Sequence, residues 1–317
     1  MKDHKKKPVQ GCSGYKIETT ALISIDNYNA FRIRCIMLIL GELMNFTLSL
    51  AERLLYSTVK ITALSQGNII GTGTGFFTTF NQTNESIVPV IITNKHVVSG
   101  ADQIRITCHI SDENIYKPSG RFIEVNILLH DTLINHPDRN IDLCAISTGS
   151  ILQQALARKT PIFYAPVTIN MIPTDSEWQN LDAIEEITMV GCPNGISDTV
   201  NNLPIIRQGI TATSPSKNYN GKHEFMIDMA CFPGSSGSPV FLYNPHGYLD
   251  KETNQFMMGK PRLKLLGILY AGPQVTNSGQ IILATPSKVT VNSMMHLGNV
   301  INSNQIRILE DHMMQKI

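Results

Sequence analysis

The stretch FPGSSGSPV, residues 232–240, crowds small residues around one serine, Ser236, immediately before an apolar segment typical of a strand. A serine that attacks an amide needs backbone N–H groups aimed at the developing oxyanion, with no side chain in the way. Gly234 permits the backbone angles of such a turn, Gly237 leaves space behind the serine, and Pro239 stiffens the exit into the strand. Ser236 is therefore a candidate nucleophile, although a Gly/Ser/Pro cluster before a strand is more often only a turn.

Two further segments place a histidine and a carboxylate beside strands. VIITNKHVV (residues 90–98) puts His96 directly after an apolar run, and NIDLCAI (residues 140–146) puts Asp142 at the head of another. A carboxylate there is costly to bury without a hydrogen-bonding partner, and His96 is the candidate partner. The three residues follow one another in the order His, Asp, Ser, separated by 46 and 94 residues.

On these three motifs the chain resembles the chymotrypsin-like serine peptidase family, in its bacterial HtrA-like and glutamyl-endopeptidase-like branches. The family has the same order of residues, with separations of about 45 and about 93 in the chymotrypsin template. GCPNG (residues 191–195) and QGIT (residues 208–211) also resemble the strands that lead to the active serine in HtrA-like members. The likeness extends over residues 57–287.

The resemblance implies a serine endopeptidase that hydrolyses peptide bonds through an acyl-enzyme. In this family Ser236 would attack the scissile carbonyl, His96 would take and return its proton, and Asp142 would orient the imidazole. The backbone N–H groups of Gly234 and Ser236 would form the oxyanion hole. The expected substrate is a polypeptide, and no metal or organic cofactor is needed.

The same resemblance locates a pocket for the substrate residue before the scissile bond. Ala230 matches the floor of that pocket, and Tyr270, Ala271 and Gly272 match the strand that forms its wall. Without an acid at the floor, a preference for Arg or Lys is disfavoured, and we expect a modest apolar residue. Ser235 stands where digestive members carry the aspartate used for activation, so activation by a freed N-terminal amine is not expected.

Short apolar segments separated by Gly, Pro, Asn and Ser clusters predict an all-β protein. The resemblance specifies two six-stranded antiparallel β-barrels with a partly helical N-terminal extension and C-terminal tail. We expect an extension over 1–55, a first barrel over 56–160, a connection over 161–182, a second barrel over 183–288, and a tail over 289–317. The predicted strands are 58–64, 75–79, 88–93, 103–108, 122–128, 143–147, 186–190, 205–211, 224–229, 239–243, 264–270 and 280–285.

The composition gives little information about partners. A net charge of +1 and 16% charged residues indicate no general attraction to nucleic acid or to an anionic membrane. Six single cysteines without a C-x-x-C pair favour buried free thiols over a disulfide framework. The sequence contains no run of about eighteen apolar residues, so no membrane span is expected.

The first 43 residues leave two alternatives open. A basic run, Lys2–Lys7, and an apolar run, Cys35–Leu40, loosely imitate a signal peptide, but Glu42 interrupts the second run and no A-x-A-like cleavage site follows closely. We expect a cytoplasmic location, with export as the alternative. Translation could also start at Met44, with residues 1–43 not native, because leucines follow it at helical spacing: Leu48, Leu50, Leu54 and Leu55.

Other functions fit the sequence less well. An α/β-hydrolase would carry G-x-S-x-G with its histidine after the serine, whereas position 238 here is Ser and His96 comes first. A metal hydrolase is disfavoured because H-E-x-x-H and C-x-x-C motifs are absent. The remaining alternative is a catalytically latent or pseudo-peptidase that acts as a protein-binding module, and a regulatory protein partner of unknown identity stays open.

Overall fold

The computed structural model describes residues 48–83, 86–112, 117–281 and 287–316. The N-terminal basic run, Cys12, Cys35 and the alternative start at Met44 lie outside the described residues. The N-terminal described segment is helix α1 (Leu50–Ser57), which begins with a capping box between Ser49 and Glu52. None of the helices in the described ranges has the length and apolar character needed to cross a bilayer.

The first lobe is a sheet of nine strands among the described residues. Alternating burial along the strands, as in β5 with Ile123, Val125 and Ile127 inside, supplies its apolar core. Its main path runs in the order β5-β4-β1-β2-β3-β7-β6, with β8 pairing β4 and β9 pairing β2. The strands are β1 (Thr58–Ser65), β2 (Asn68–Thr83), β3 (Ser86–Thr93), β4 (Gln103–Ser111), β5 (Pro118–Leu128), β6 (Leu133–Asn135), β7 (Cys144–Ser147), β8 (Ile162–Phe163) and β9 (Val167–Thr168).

The second lobe is a closed six-stranded barrel in the order β10-β11-β12-β19-β16-β13. Its core packs Phe225, Val240, Leu266 and Val300 against Trp178, which comes from the connecting segment. β14 pairs with β15 and β17 pairs with β18, each as a two-stranded sheet separate from the barrel. The strands are β10 (Glu186–Gly191), β11 (Ile205–Thr211), β12 (Glu224–Asp228), β13 (Pro239–Asn244), β14 (Gly247–Asp250), β15 (Gln255–Met258), β16 (Arg262–Ala271), β17 (Gln274–Ile281), β18 (Ser287–Met294) and β19 (Leu297–Asn302).

The described residues contain three further α-helices, and the last of them packs between the lobes. α2 (Gly149–Ala157) follows β7, and α3 (Asp175–Asn180) lies in the connection. α4 (Asn304–Met314) buries Ile306, Leu309 and Met313 at helical spacing. These side chains join apolar residues of both lobes in one cluster, which includes Phe76 and Phe241. The lobes therefore meet through a continuous core as well as at the site described below.

The all-β, chymotrypsin-like fold class predicted from the sequence is confirmed. The predicted strands from 58–64 to 264–270 each fall on an observed strand, and 280–285 begins on β17 and continues outside the described residues. Two details were wrong. The first sheet has nine strands instead of six, because the short β6, β8 and β9 are too brief to show a period of two.

The second barrel also does not end at residue 288. Its sixth strand is β19, which lies in the segment predicted as a tail and pairs with both β12 and β16. The buried residues of this strand are only Gly298, Val300 and Ile301, and polar residues flank them. The apolar residues therefore show no regular spacing in the sequence, and the segment was interpreted as part of a tail. The helical part of that tail is present as α4.

The described cysteines are free thiols, as the sequence predicted. Cys108, Cys144, Cys192 and Cys231 are buried and unpaired by disulfides. Burial raises the pKa of Cys108 to about 12 and that of Cys192 to about 11. These thiols therefore stay protonated and act as small apolar side chains.

Candidate active site

Strand pairing brings His96 and Asp142 together. β3 and β7 are antiparallel with Thr93 opposite Cys144, so the residues that follow β3 lie next to those that precede β7. His96 stands in a 3₁₀ turn, Lys95–Val97, and Asp142 stands in the loop that enters β7. The sheet register therefore positions two side chains that are 46 residues apart in sequence.

The Asp142 carboxylate holds His96 at two points. One oxygen accepts a hydrogen bond from the His96 backbone N–H at 3.0 Å, and the other contacts the ring Nδ1. The loop itself is held because the Asn94 side-chain amide donates to the Asp142 carbonyl at 2.7 Å. This geometry fixes the orientation of the imidazole. Its Nε2 lies on the side of the ring away from Asp142, and the His96 side chain is half exposed.

The surroundings of Asp142 keep its carboxylate ionised. Burial by itself would raise the pKa of Asp142, but hydrogen bonds from the His96 ring and from the backbone N–H groups of His96 and Lys95 outweigh it and lower the pKa below its ordinary value. A hydrogen-bonded carboxylate beside an imidazole favours the protonated imidazolium. The pair can therefore accept a proton at His96 and stabilise the resulting charge.

The Ser236 turn depends on two glycines in the left-handed region. Gly234 has φ +82° and Gly237 has φ +87°. A side chain at position 237 would place its Cβ 1.9 Å from the Thr74 carbonyl oxygen and 2.6 Å from the Thr93 hydroxyl. The turn is thus packed directly against β2, so the conformational freedom and small size of glycine are both required at position 237.

The backbone N–H groups of this turn divide into two sets. Those of Ser235, Gly237 and Ser238 donate to the carbonyls of Phe232, Leu269 and Ser235 at 2.8–3.0 Å. Those of Gly234 and Ser236 have no acceptor among the described residues. The two unused donors are the ones that the sequence analysis assigned to an oxyanion hole.

The Ser236 hydroxyl donates to the Tyr270 carbonyl at 3.3 Å and makes no hydrogen bond with His96 within the described part of the chain. Tyr270 is fixed in turn, since its hydroxyl donates to the Glu224 carboxylate at 2.5 Å. Burial, followed by this contact with Glu224, raises the pKa of Tyr270 to about 12. The phenol therefore stays protonated and acts as a structural donor.

Thr74, which no sequence motif singled out, joins the two lobes at the site. Its hydroxyl donates to the Gly234 carbonyl at 2.9 Å and accepts from the Cys192 backbone N–H at 3.0 Å. Its backbone N–H donates to the Ser236 carbonyl at 2.8 Å. Thr74 is fully buried. One residue of the first lobe therefore holds both residues of the Ser236 turn that carry the unused donors, Gly234 through its side chain and Ser236 through its backbone N–H.

The predicted specificity residues lie around the end of β16 and before the Ser236 turn. Tyr270 and Ala271 end β16, and Gly272 follows it. Ala230 lies after β12, and its carbonyl accepts a hydrogen bond from the Arg207 guanidinium. That guanidinium also lies over the Phe232 ring, 4.9 Å from its centre. A cation that the sequence analysis did not assign to this region thus stands beside the predicted pocket floor.

Comparison with known proteins agrees with this architecture. The fold and the site define a two-lobed β protein of the chymotrypsin type, and residues 73–247 match the family model described as a trypsin-like peptidase domain. The chain belongs to the trypsin-like peptidase family. It is a trypsin-like serine endopeptidase, a hydrolase whose substrate is a polypeptide.

Solved structures with low sequence identity are also similar to the chain. One is a serine endoprotease from Yersinia pestis, with 17% identity, 86% of this chain and 68% of that chain covered, and a TM-score of 0.44. Another is a thermostable serine protease from an extremophilic microorganism, with 13% identity, 81% and 96% coverage, and a TM-score of 0.41. No curated protein matches the sequence of this chain.

Proposed function

We propose that the protein hydrolyses peptide bonds through an acyl-enzyme on Ser236, with His96 as general base and acid and Asp142 as the orienting carboxylate. The observation that carries the proposal is the doubly held His96–Asp142 pair, which leaves the imidazole Nε2 free to receive a proton. Asp142 is ionised and hydrogen-bonded to the ring, as this role requires.

The reaction would proceed in two transfers. The Ser236 oxygen attacks the scissile carbonyl while its proton passes to His96, and the proton then passes to the leaving amine as the C–N bond breaks. A water molecule attacks the ester in the same way, and His96 returns the proton to Ser236. The unused N–H groups of Gly234 and Ser236 would stabilise the oxyanion in both steps.

The present hydrogen bond of Ser236 is compatible with this role. The hydroxyl donates to the Tyr270 carbonyl at 3.3 Å, which is long for an O–H···O bond, and a rotation about the Cα–Cβ bond redirects it. Catalytic hydrogen bonds are often loose without substrate and tighten in the substrate complex. We infer that substrate binding turns the Ser236 hydroxyl towards His96.

Labelling with a fluorophosphonate tests the proposal. We expect the wild-type chain to be labelled on Ser236, and expect the label to be lost in both Ser236→Ala and His96→Ala, because attack requires the nucleophile and its base. Ser235→Ala is the matched control and should keep the label. Absence of labelling in folded wild-type protein would contradict the proposal and favour the latent or protein-binding alternative.

We also propose that the residue before the scissile bond is a modest apolar one. Ala230 supplies no acid at the predicted pocket floor, and the Arg207 guanidinium beside it would repel a basic substrate residue. In peptides that differ only at this position, we expect kcat/KM for Val or Leu to exceed that for Arg by about tenfold or more. In Arg207→Gln, the ratio of kcat/KM for Val or Leu to kcat/KM for Arg should fall. Preferred cleavage after Arg in the wild type would contradict the proposal.

A further inference from the structure

An open pocket of about 770 Å³ lies beside the two loops that carry His96 and Asp142. Its wall is formed by Lys95 and residues 98–101 after β3, by residues 133–137 and Arg139 around β6, and by His312 and Lys316 at the C-terminal end of α4. The charged or titratable residues in this lining are all basic: Lys95, His136, Arg139, His312 and Lys316. No carboxylate belongs to the lining in the described part of the chain. Five basic groups converge here although the whole chain is nearly neutral.

Among the described residues, the positive charge of this pocket is offset only in part, by the Asp138 and Asp142 carboxylates, which lie outside the lining and act on Lys95. Lys95 donates to the backbone carbonyl of Asp138 at 2.9 Å, so it is hydrogen-bonded but not ion-paired. The side chains of Arg139 and Lys316 have neither a hydrogen bond nor an ion pair with any described residue. The nearby Asp138 carboxylate accepts instead from the Asn140 backbone N–H at 2.8 Å. Because Arg139 and Lys316 have no partner among the described residues, an anion bound in the pocket would gain attraction from both.

His136 adds a buried polar atom without a partner. The side chain is 4% exposed, and its Nδ1 lies 3.2 Å from the Asp138 backbone N–H. Its Nε2 has no hydrogen-bond partner among the described residues. Burial lowers the pKa of His136, the Asp138 contact opposes this, and the charges of Lys95 and His312 lower the pKa further. Native proteins rarely leave such an atom unsatisfied, and this one belongs to a side chain that lines the pocket.

We propose that this pocket, lined by Lys95, His136, Arg139, His312 and Lys316, binds an oligophosphate anion. Its volume lies in the range of about 300–1,000 Å³ that is typical of small-ligand sites. Lys and Arg are the preferred partners of phosphate oxygens. A phosphate chain carries several charges within a few ångströms, whereas acidic side chains on one face of an extended peptide are spaced by about 6–7 Å. Because the five basic side chains line one pocket of about 770 Å³, an oligophosphate, which carries its charges within such a volume, is favoured over an extended acidic peptide.

The position of the pocket gives the ligand access to the catalytic loops. Lys95 precedes His96, and Arg139 lies in the loop that leads to Asp142. The hydrogen bond from Lys95 to the Asp138 carbonyl joins these loops across the pocket wall. A bound anion would thus contact both loops without entering the cleft at Ser236.

Calorimetric titration of the full chain with tripolyphosphate at constant ionic strength tests the proposal. We expect saturable binding of one anion per chain. The double variant Arg139→Gln/Lys316→Gln should weaken the affinity about tenfold or more, because it removes two cations that have no other partner in the described part of the chain. The control Arg121→Gln/Lys217→Gln removes two exposed cations elsewhere and should bind within about twofold of the wild type. Equal melting temperatures would verify that both variants are folded.

Parallel titrations identify the source of the phosphate. Equal affinity for ATP and tripolyphosphate would support a site for the phosphate chain alone, and tighter binding of ATP would support a nucleotide. Non-saturable binding, unchanged affinity in the pocket variant, or tighter binding of hexaglutamate than of tripolyphosphate would each overturn the proposal. Because the readout is binding, failure here would be distinguishable from failure of the peptidase mechanism.

Discussion

Replacing Asp142 with Asn is expected to lower kcat/KM by about 10⁴-fold, the size of effect that this change has in the chymotrypsin template. The Asp142 carboxylate accepts from the His96 backbone and contacts its ring Nδ1. An amide of the same shape still occupies the site, but its NH₂ group would face Nδ1 and favour the opposite tautomer. The imidazole would then present a proton, and not a lone pair, towards Ser236.

Steady-state kinetics on a peptide substrate, together with a melting curve, measure this effect. Asp138→Asn is the matched control, because Asp138 lies in the same loop and an Asn oxygen can still accept from the Asn140 N–H. We expect this control to keep kcat/KM within a few-fold of the wild type. A loss of less than about tenfold in folded Asp142→Asn would show that Asp142 does not orient His96 during the reaction.

The sequence was most informative where chemistry restricts the residue types. Gly234, Ser236 and Gly237 form a turn that only small residues allow, and the clash distances at Gly237 explain why. His96 and Asp142 could be paired in advance because each adjoins a recognisable strand, and antiparallel strands bring such ends together. The all-β class followed from the same strands, since short apolar segments separated by Gly, Pro, Asn and Ser clusters are typical of such proteins.

Features that depend on side chains distant in sequence could not be predicted. Thr74 stands in a Gly/Thr-rich strand where each threonine looks equivalent, yet its hydroxyl joins groups 118 and 160 residues away. β19 was assigned to the tail because its buried residues are too few to stand out. The basic pocket combines Lys95, Arg139 and Lys316 from three separate segments, so a net charge of +1 conceals it.

Replacing Thr74 with Val is expected to lower kcat/KM by about 10²-fold, which is the cost of misplacing a catalytic group by about 1 Å. Valine has nearly the same shape as threonine but can neither donate to the Gly234 carbonyl nor accept from the Cys192 N–H. Both groups would be left unpaired at a fully buried position, which costs about 1–3 kcal/mol of unfolding free energy. The Ser236 turn would then lose its side-chain bond to Thr74 and keep only the bond from the Thr74 backbone N–H to the Ser236 carbonyl.

The split between kcat and KM distinguishes a positioning role from a purely structural one. If Thr74 positions the donors of Gly234 and Ser236, kcat should fall while KM changes little, because the lost contacts act mainly on the oxyanion. Thr74→Ser keeps the hydroxyl and should restore kcat to within a few-fold, although it removes a buried methyl group. Denaturant unfolding of both variants would measure the stability change separately. If Thr74→Val is destabilised but keeps the wild-type kcat, Thr74 supports the fold alone. A turn that had moved could not keep the N–H groups of Gly234 and Ser236 aligned with the substrate carbonyl.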